Sequence, residues 1–323
     1  MVVEALETWR HQGNCLAMPV GGATLYTDIA IFLLQLSFFF IKYILFFMTI
    51  KFRNRLYLAL FISGLIFLAI NSFMIVVSFI NGTAVGPEEY LRPIAFKHGN
   101  NFISSSPYAA IGSLLFFGIS APVLAFSIYK GFAKTSSLEI LFFIGFIISC
   151  ILEESRLLIS FLALWDSSSR LLVFIGRGIV SARVLGPLSI LFASLFSSND
   201  QLENAERNIF FLFAISCIFG FFYPVNSTEI YSNFMVGYGM KELFDTIRII
   251  VILTAIATTC AEGYRKGLLS VFAKAGGIFV LFAGSFFLFY CDSFLFLIFG
   301  ILLFSVGSVV YLKTLHYIEN NWN

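Results

Sequence analysis

The chain has 323 residues, of which 59% are hydrophobic, 18% aromatic and only 12% charged, with a mean hydropathy of +0.93. So few charges cannot clothe a water-soluble body of this size, and the same composition excludes disorder, collagen-like repeats and disulfide scaffolds. Twenty Lys and Arg against eighteen Asp and Glu leave a net charge of +2, too balanced to point to a nucleic-acid partner.

Residues 1–24 are mixed in character and read as an extracytoplasmic N-terminal segment, with Met18 an alternative start. The first apolar run begins after about 25 residues and is some 22 long, too late and too long for a secretory signal. From there the pattern predicts an all-α, polytopic transmembrane bundle of about nine spans, near 29–50, 56–80, 108–129, 138–164, 171–197, 208–224, 243–261, 268–290 and 293–312. Each run is close to the roughly 17–25 residues that cross about 30 Å of hydrocarbon. Residues 25–312 then form one transmembrane domain and 313–323 a short cytoplasmic tail. The sixth and seventh runs are the weakest, the sixth stopping at Pro224 and the seventh carrying Asp245 and Arg248 near its start.

Basic residues mark the cytoplasmic side. With the N-terminus outside, the inner segments hold Lys51, Arg53, Arg55, Lys130, Lys134, Arg207, Arg265, Lys266 and Lys313, whereas the longer outer segments hold only Arg10, Arg92, Lys97, Arg170 and Lys241. The bias predicts N-terminus out and C-terminus in, and a cell-membrane location with the lipid bilayer as the chief partner. Two outer connections are long, 81–107 and 225–242. Tyr223, Tyr231 and Tyr238 read as an interfacial aromatic belt, and the Asn81-Gly82-Thr83 and Asn226-Ser227-Thr228 acceptor patterns read as ordinary turns.

Intramembrane charges are the informative residues, because each costs at least about 2.5–3.5 kcal/mol at mid-bilayer. The fourth span contains Glu153, Glu154 and Arg156, and the fifth contains Arg177 and Arg183. Ser149, Glu153, Arg156 and Ser160 fall on one helical stripe that must face protein or water. The Asp166–Arg170 connection centres near residue 168, so Glu153 and Arg183 lie at similar depth and form a reasonable interhelical pair, with Glu153–Arg156 as a competing or shared contact. Three arginines against two glutamates leave a positive surplus, which makes these five residues the candidate site for a small anionic ligand. The plainer reading is a buried ion-pair network that fixes helix packing, with Arg177 snorkelling outward.

Other polar positions carry weaker signals. Asp28, Gln35 and Lys42 recur at heptad spacing on the first span, Asn71 reads as a packing hydrogen bonder, and Lys274 as a snorkelling residue near a cytoplasmic end. Pro122 and Pro187 predict kinks, and Ala121 with Ala125 and Ala273 with Gly277 predict close helix packing.

Enzyme chemistry finds little support. The chain has no H-E-x-x-H, G-x-S-x-G or phosphate-loop motif. Its five cysteines lack metal spacing, and none of its three histidines lies in an apolar run, so no metal, haem or other cofactor is predicted. The best acid–base set, Glu88, Glu89 and His98, lies in a long outer loop. The leading functional expectation is a transporter or channel-like translocator of a small anionic solute. The alternatives are a ligand-sensing receptor that relies on a membrane-protein partner for its output, or an accessory subunit of a membrane complex.

Overall fold

The computed structural model describes residues 50–80, 82, 91–92, 105–133, 137–162, 164, 170–196 and 205–322. They form α1 (Ile50–Ile80), β1 (Leu91–Arg92), α2 (Pro107–Gly131), α3 (Leu138–Glu154), α4 (Leu157–Phe161), α5 (Arg170–Phe196), α6 (Ala205–Phe222), β2 (Val225–Tyr231), β3 (Val236–Tyr238), α7 (Lys241–Lys266), α8 (Leu269–Phe289) and α9 (Phe294–Trp322). Six of these helices, α1, α2, α5, α7, α8 and α9, are long and apolar enough to cross a membrane. The protein is a membrane-embedded helical bundle. Its flanks expose large apolar side chains such as Phe73, Ile80, Phe174, Phe222 and Phe279, a surface suited to hydrocarbon rather than water.

The expected fourth span is not one helix. It divides into α3 and α4 at Ser155–Arg156, where the backbone tightens into i→i+3 bonds from Ser155 N to Leu152 O (3.1 Å) and from Arg156 N to Glu153 O (3.3 Å). The Ser155 hydroxyl also donates to Leu152 O at 2.6 Å, taking up a carbonyl that the helix would otherwise use. The expected sixth span is the shorter apolar helix α6. The expected first span, with Asp28, Gln35 and Lys42, lies outside the described residues, as do Glu88, Glu89 and His98.

Helix ends follow local chemistry. Pro107 opens α2 at a position where its missing N–H costs nothing. α7 closes on Arg265 and Lys266, followed by Gly267 at φ +66°, and Leu268 N bonds back to Gly263 O at 3.2 Å. α5 occupies the centre, packed against α3, α6, α7 and both strands of a hairpin, while α8 and α9 form a tight antiparallel pair. Backbone meets backbone in that pair, since a Cβ on Gly284 would lie 2.2 Å from Phe304 N and one on Gly307 2.3 Å from Leu281 N.

The two long connections meet. β1 pairs in parallel with β2 (Leu91 with Ile230, Arg92 with Tyr231), and β2 pairs antiparallel with β3 (Val225 with Tyr238, Ile230 with Val236), with an irregularity between Asn226 and Ile230. Asn226 therefore lies in a strand opposite Gly237, not in the turn expected for it. The hairpin is not a solvated loop: Phe234, Met235, Val236 and Ile230 are buried, with Phe234 packed on Ala110, Ile111, Leu114 and Leu157. Irregular backbone at such a site is tolerated because protein, not lipid, surrounds it.

Candidate functional site

The site forms where the α3–α4 break, α5, the β2–β3 hairpin and the end of α8 converge. Tightening at the break brings residues three apart into line, so Arg156 stacks back on Glu153. Arg156 Nε lies 2.9 Å from Glu153 Oε2 and Arg183 Nε lies 2.7 Å from Glu153 Oε1. One carboxylate thus serves two guanidinium groups, one on its own segment and one on α5. All three side chains are fully buried.

The remaining guanidinium donors reach the hairpin and the C-terminus of α8. Arg156 Nη1 donates to Asn233 O (3.2 Å) and Phe289 O (3.3 Å). Arg183 Nη2 donates to the same Phe289 carbonyl (3.4 Å), and Arg183 Nη1 lies 2.8 Å from Met235 Sδ and 3.5 Å from Tyr238 Oη. Asn233 Nδ2 adds a third donor to Phe289 O at 2.9 Å, while its Oδ1 accepts from Met235 N. Phe289 ends α8, so the two cations complement the negative end of that helix. The Arg183 guanidinium also lies over the rings of Phe289 (5.3 Å) and Tyr290 (5.5 Å).

The two guanidinium groups share one directly bonded carboxylate and a helix end worth about half a negative charge, and the Asp292 carboxylate is buried beside them. Arg156 Nη2 is buried and has no hydrogen-bond partner. Beside the cluster, Asp292 accepts from Ser232 Oγ (3.3 Å), and Cys291 Sγ lies 3.5 Å from Ala109 O and Ser293 O. Burial pushes the Cys291 thiol up to about 12.

Of the five residues singled out from the sequence, Glu153, Arg156 and Arg183 come together, in the shared pairing expected for them. Arg177 does not join them; its guanidinium lies over the Phe221 ring of α6 at 5.0 Å. Glu154 turns to the other side of α3, where its Oε1 accepts from Asn71 Nδ2 of α1 at 3.1 Å.

Sequence reasoning missed the partners supplied by the hairpin, namely Asn233, Met235 and Tyr238. The signal was there in Phe234-Met235-Val236, too apolar for a solvated loop and flanked by Gly237 and Gly239. Tyr238 is buried against Tyr223 and Phe244 and faces Arg183 rather than a lipid interface.

A second ionic group sits at the opposite end of the bundle. Lys274 does not snorkel; it is buried, with Nζ 2.8 Å from Glu139 Oε1 and 3.6 Å from Glu262 Oε2, and Glu262 also pairs with Lys266 at 2.6 Å. No group of three or more His, Cys, Asp or Glu suited to a metal ion occurs among the described residues. Compared with known protein families, curated proteins and solved structures, the chain matches none.

Proposed function

We propose that the protein is a nine-span cell-membrane translocator of a small anionic solute, with its N-terminus outside and its C-terminus inside, and that Arg156 and Arg183 supply the counter-charge. The observation that carries this reading is the buried, unpartnered Nη2 of Arg156 in a cluster where two guanidinium groups share one directly bonded carboxylate. Unsatisfied buried donors are costly, and an anion is the ligand chemistry that would satisfy this one. In this reading the bonds from Asn233 at the hairpin tip to Arg156 and to Phe289 O belong to a closed conformation.

Topology supports the span count by parity. β1 and β2 pair, so the connections bearing them share one side of the bundle. Between them lie α2, the α3–α4 segment, α5 and α6. Given that α2 and α5 cross, α3–α4 and α6 must both cross or both not cross, and their apolar character favours crossing.

One observation favours a second reading, a packing subunit of a membrane complex: three donors converge on the Phe289 carbonyl, as a purely structural lock would arrange. Flux separates the two. In proteoliposomes containing the chain alone, the translocator reading expects saturable uptake of at least one small inorganic or carboxylate anion, lost in Arg156→Gln with folded yield retained. No flux for any such anion, with wild-type protein folded, overturns it.

A further inference from the structure

Glu153 and Glu154 are adjacent carboxyls in opposite surroundings. Glu153 faces two arginines. Glu154 is 1% exposed and, among the described residues, has no cation within ion-pairing distance; its polar contact is the Asn71 amide. The carboxyl lies flat against the α2 backbone, where a Cβ on Gly118 would come within 2.5 Å of Glu154 Cδ and 2.6 Å of each oxygen.

Its neighbours offer no compensation for a negative charge. From α1, Arg53, Arg55 and Tyr57 lie at least fourteen residues from Asn71, about 21 Å along the helix. On α2, Tyr108, Tyr129 and Lys130 are ten or more residues from Gly118, about 15 Å or more. On α5, Arg183 is engaged with Glu153, Arg170 begins the helix and Arg177 lies over Phe221. α6 contributes Arg207 and Cys217, both on its exposed surface. Within its own segment Glu154 has Glu139, Cys150, Glu153 and Arg156, the last directed to Glu153 and Phe289 O. Glu154 is also the last residue of α3, at the negative end of that helix, where a carboxylate is disfavoured further.

We infer that Glu154 is a reversible proton-binding site within the membrane domain, occupied by a proton in the conformation described and anchored by Asn71. The inference is independent of what solute the Arg156–Arg183 cluster takes. A buried carboxyl without a cation holds its proton, and releases it when the pH is raised or when the protein changes to give it water or a counter-charge. The i→i+3 turn that follows at Ser155–Arg156 is the place where α3 departs from regular helix, so both carboxyls ride on the same break.

Infrared difference spectroscopy on the full chain in lipid tests this directly. Wild type minus Glu154→Gln at neutral pH should show one protonated-carboxyl C=O band, downshifted in D₂O and lost reversibly as the pH is raised. Asn71→Leu, which keeps the carboxyl but removes its donor, should move that band to higher frequency and serves if Glu154→Gln fails to fold. A carboxylate difference in place of the C=O band, or a band that neither titrates nor moves in Asn71→Leu, overturns the site. None of these outcomes depends on flux, so a failure here is distinguishable from a failure of the translocator reading.

Discussion

Glu153 and Arg183, thirty residues apart in the chain, meet at 2.7 Å with both side chains fully buried, while the second oxygen of the same carboxylate holds Arg156 at 2.9 Å. One anion is therefore shared by two cations from different segments, and its loss strands both. Glu153→Gln should destabilise the bundle by about 3–5 kcal/mol, the cost of leaving a buried charge uncompensated. Thermal unfolding in detergent measures it. In a double-mutant cycle, Arg183→Gln combined with Glu153→Gln should cost less than the sum, with a coupling of roughly 1–3 kcal/mol. Additive effects would mean that the pair does not interact.

The hairpin tip is bonded to Phe289 and Asp292, on either side of the fully buried Cys291, so that thiol can report on whether the tip stays in place. Phe234 fills a buried apolar pocket and Asn233 ties the tip to Phe289 O. With the other cysteines replaced, Cys291 should react slowly with thiol reagents in the wild-type background. Phe234→Ala, costing about 3–5 kcal/mol if the cavity does not collapse, should accelerate that reaction at unchanged pH. Equal rates in the two proteins would show that the tip does not shield the site.

The same thiol gives a pH dependence. Burial raises the Cys291 thiol to about 12, so its neutral form is the one the fold favours. The sign follows from linkage: the contribution is complete below the ordinary thiol range and is lost as the pH rises toward about 12. Cys291→Ser, which removes the ionisation, should flatten the alkaline loss of stability while leaving neutral pH little changed. A wild-type and mutant pair with parallel alkaline curves would contradict this.

Much of this arrangement was legible in the residues, for physical reasons that also set the limits. Apolar run length located the long helices, because hydrocarbon thickness dictates it. Equal sequence distance from residue 168 placed Glu153 beside Arg183, because residues equally far along two antiparallel segments fall at similar depth. What escaped was non-periodic. The fourth segment breaks at Ser155–Arg156, where the backbone tightens to i→i+3 bonds, and no apolar pattern records that. The hairpin escaped because β1 and β2 are joined only through space, and depth along a helix gives no information about the face, which is why Arg177 and Glu154 part from the cluster. Lys274 was misjudged for a related reason. Its partners Glu139 and Glu262 stand on two other helices, and proximity to a helix end says nothing about them.

Lys274 makes its own prediction. It joins α8 to α3 through Glu139 and to α7 through Glu262, with Lys266 sharing the second carboxylate. Lys274→Met preserves the stem but leaves Glu139 without its ion-pair partner in a buried position. A loss of about 3–5 kcal/mol is expected. Glu139→Gln in the same background removes the stranded charge and should recover part of it. Urea or thermal unfolding of the single and double variants reads the difference, and a double variant no better than Lys274→Met would exclude the pairing.

The α8–α9 pair should be the least tolerant contact in the bundle. Interhelical attraction inside a membrane comes from packing rather than from exclusion of water, so backbone approach is the chief resource. Gly284 and Gly307 supply it from opposite helices, and a single methyl at either would sit 2.2 or 2.3 Å from a backbone nitrogen across the interface. Since the obstructing atom is backbone, no side-chain rotation relieves the clash, and the helices must separate. Gly307→Ala should therefore lower the unfolding midpoint more than Gly178→Ala, a helical glycine whose added Cβ meets nothing within 4 Å. Gly178→Ala should be neutral or slightly stabilising, because alanine is the better helix former. Thermal unfolding of the two variants side by side, with folded yield as the control, tests the contrast; equal midpoints would mean that α8 and α9 are not in backbone contact.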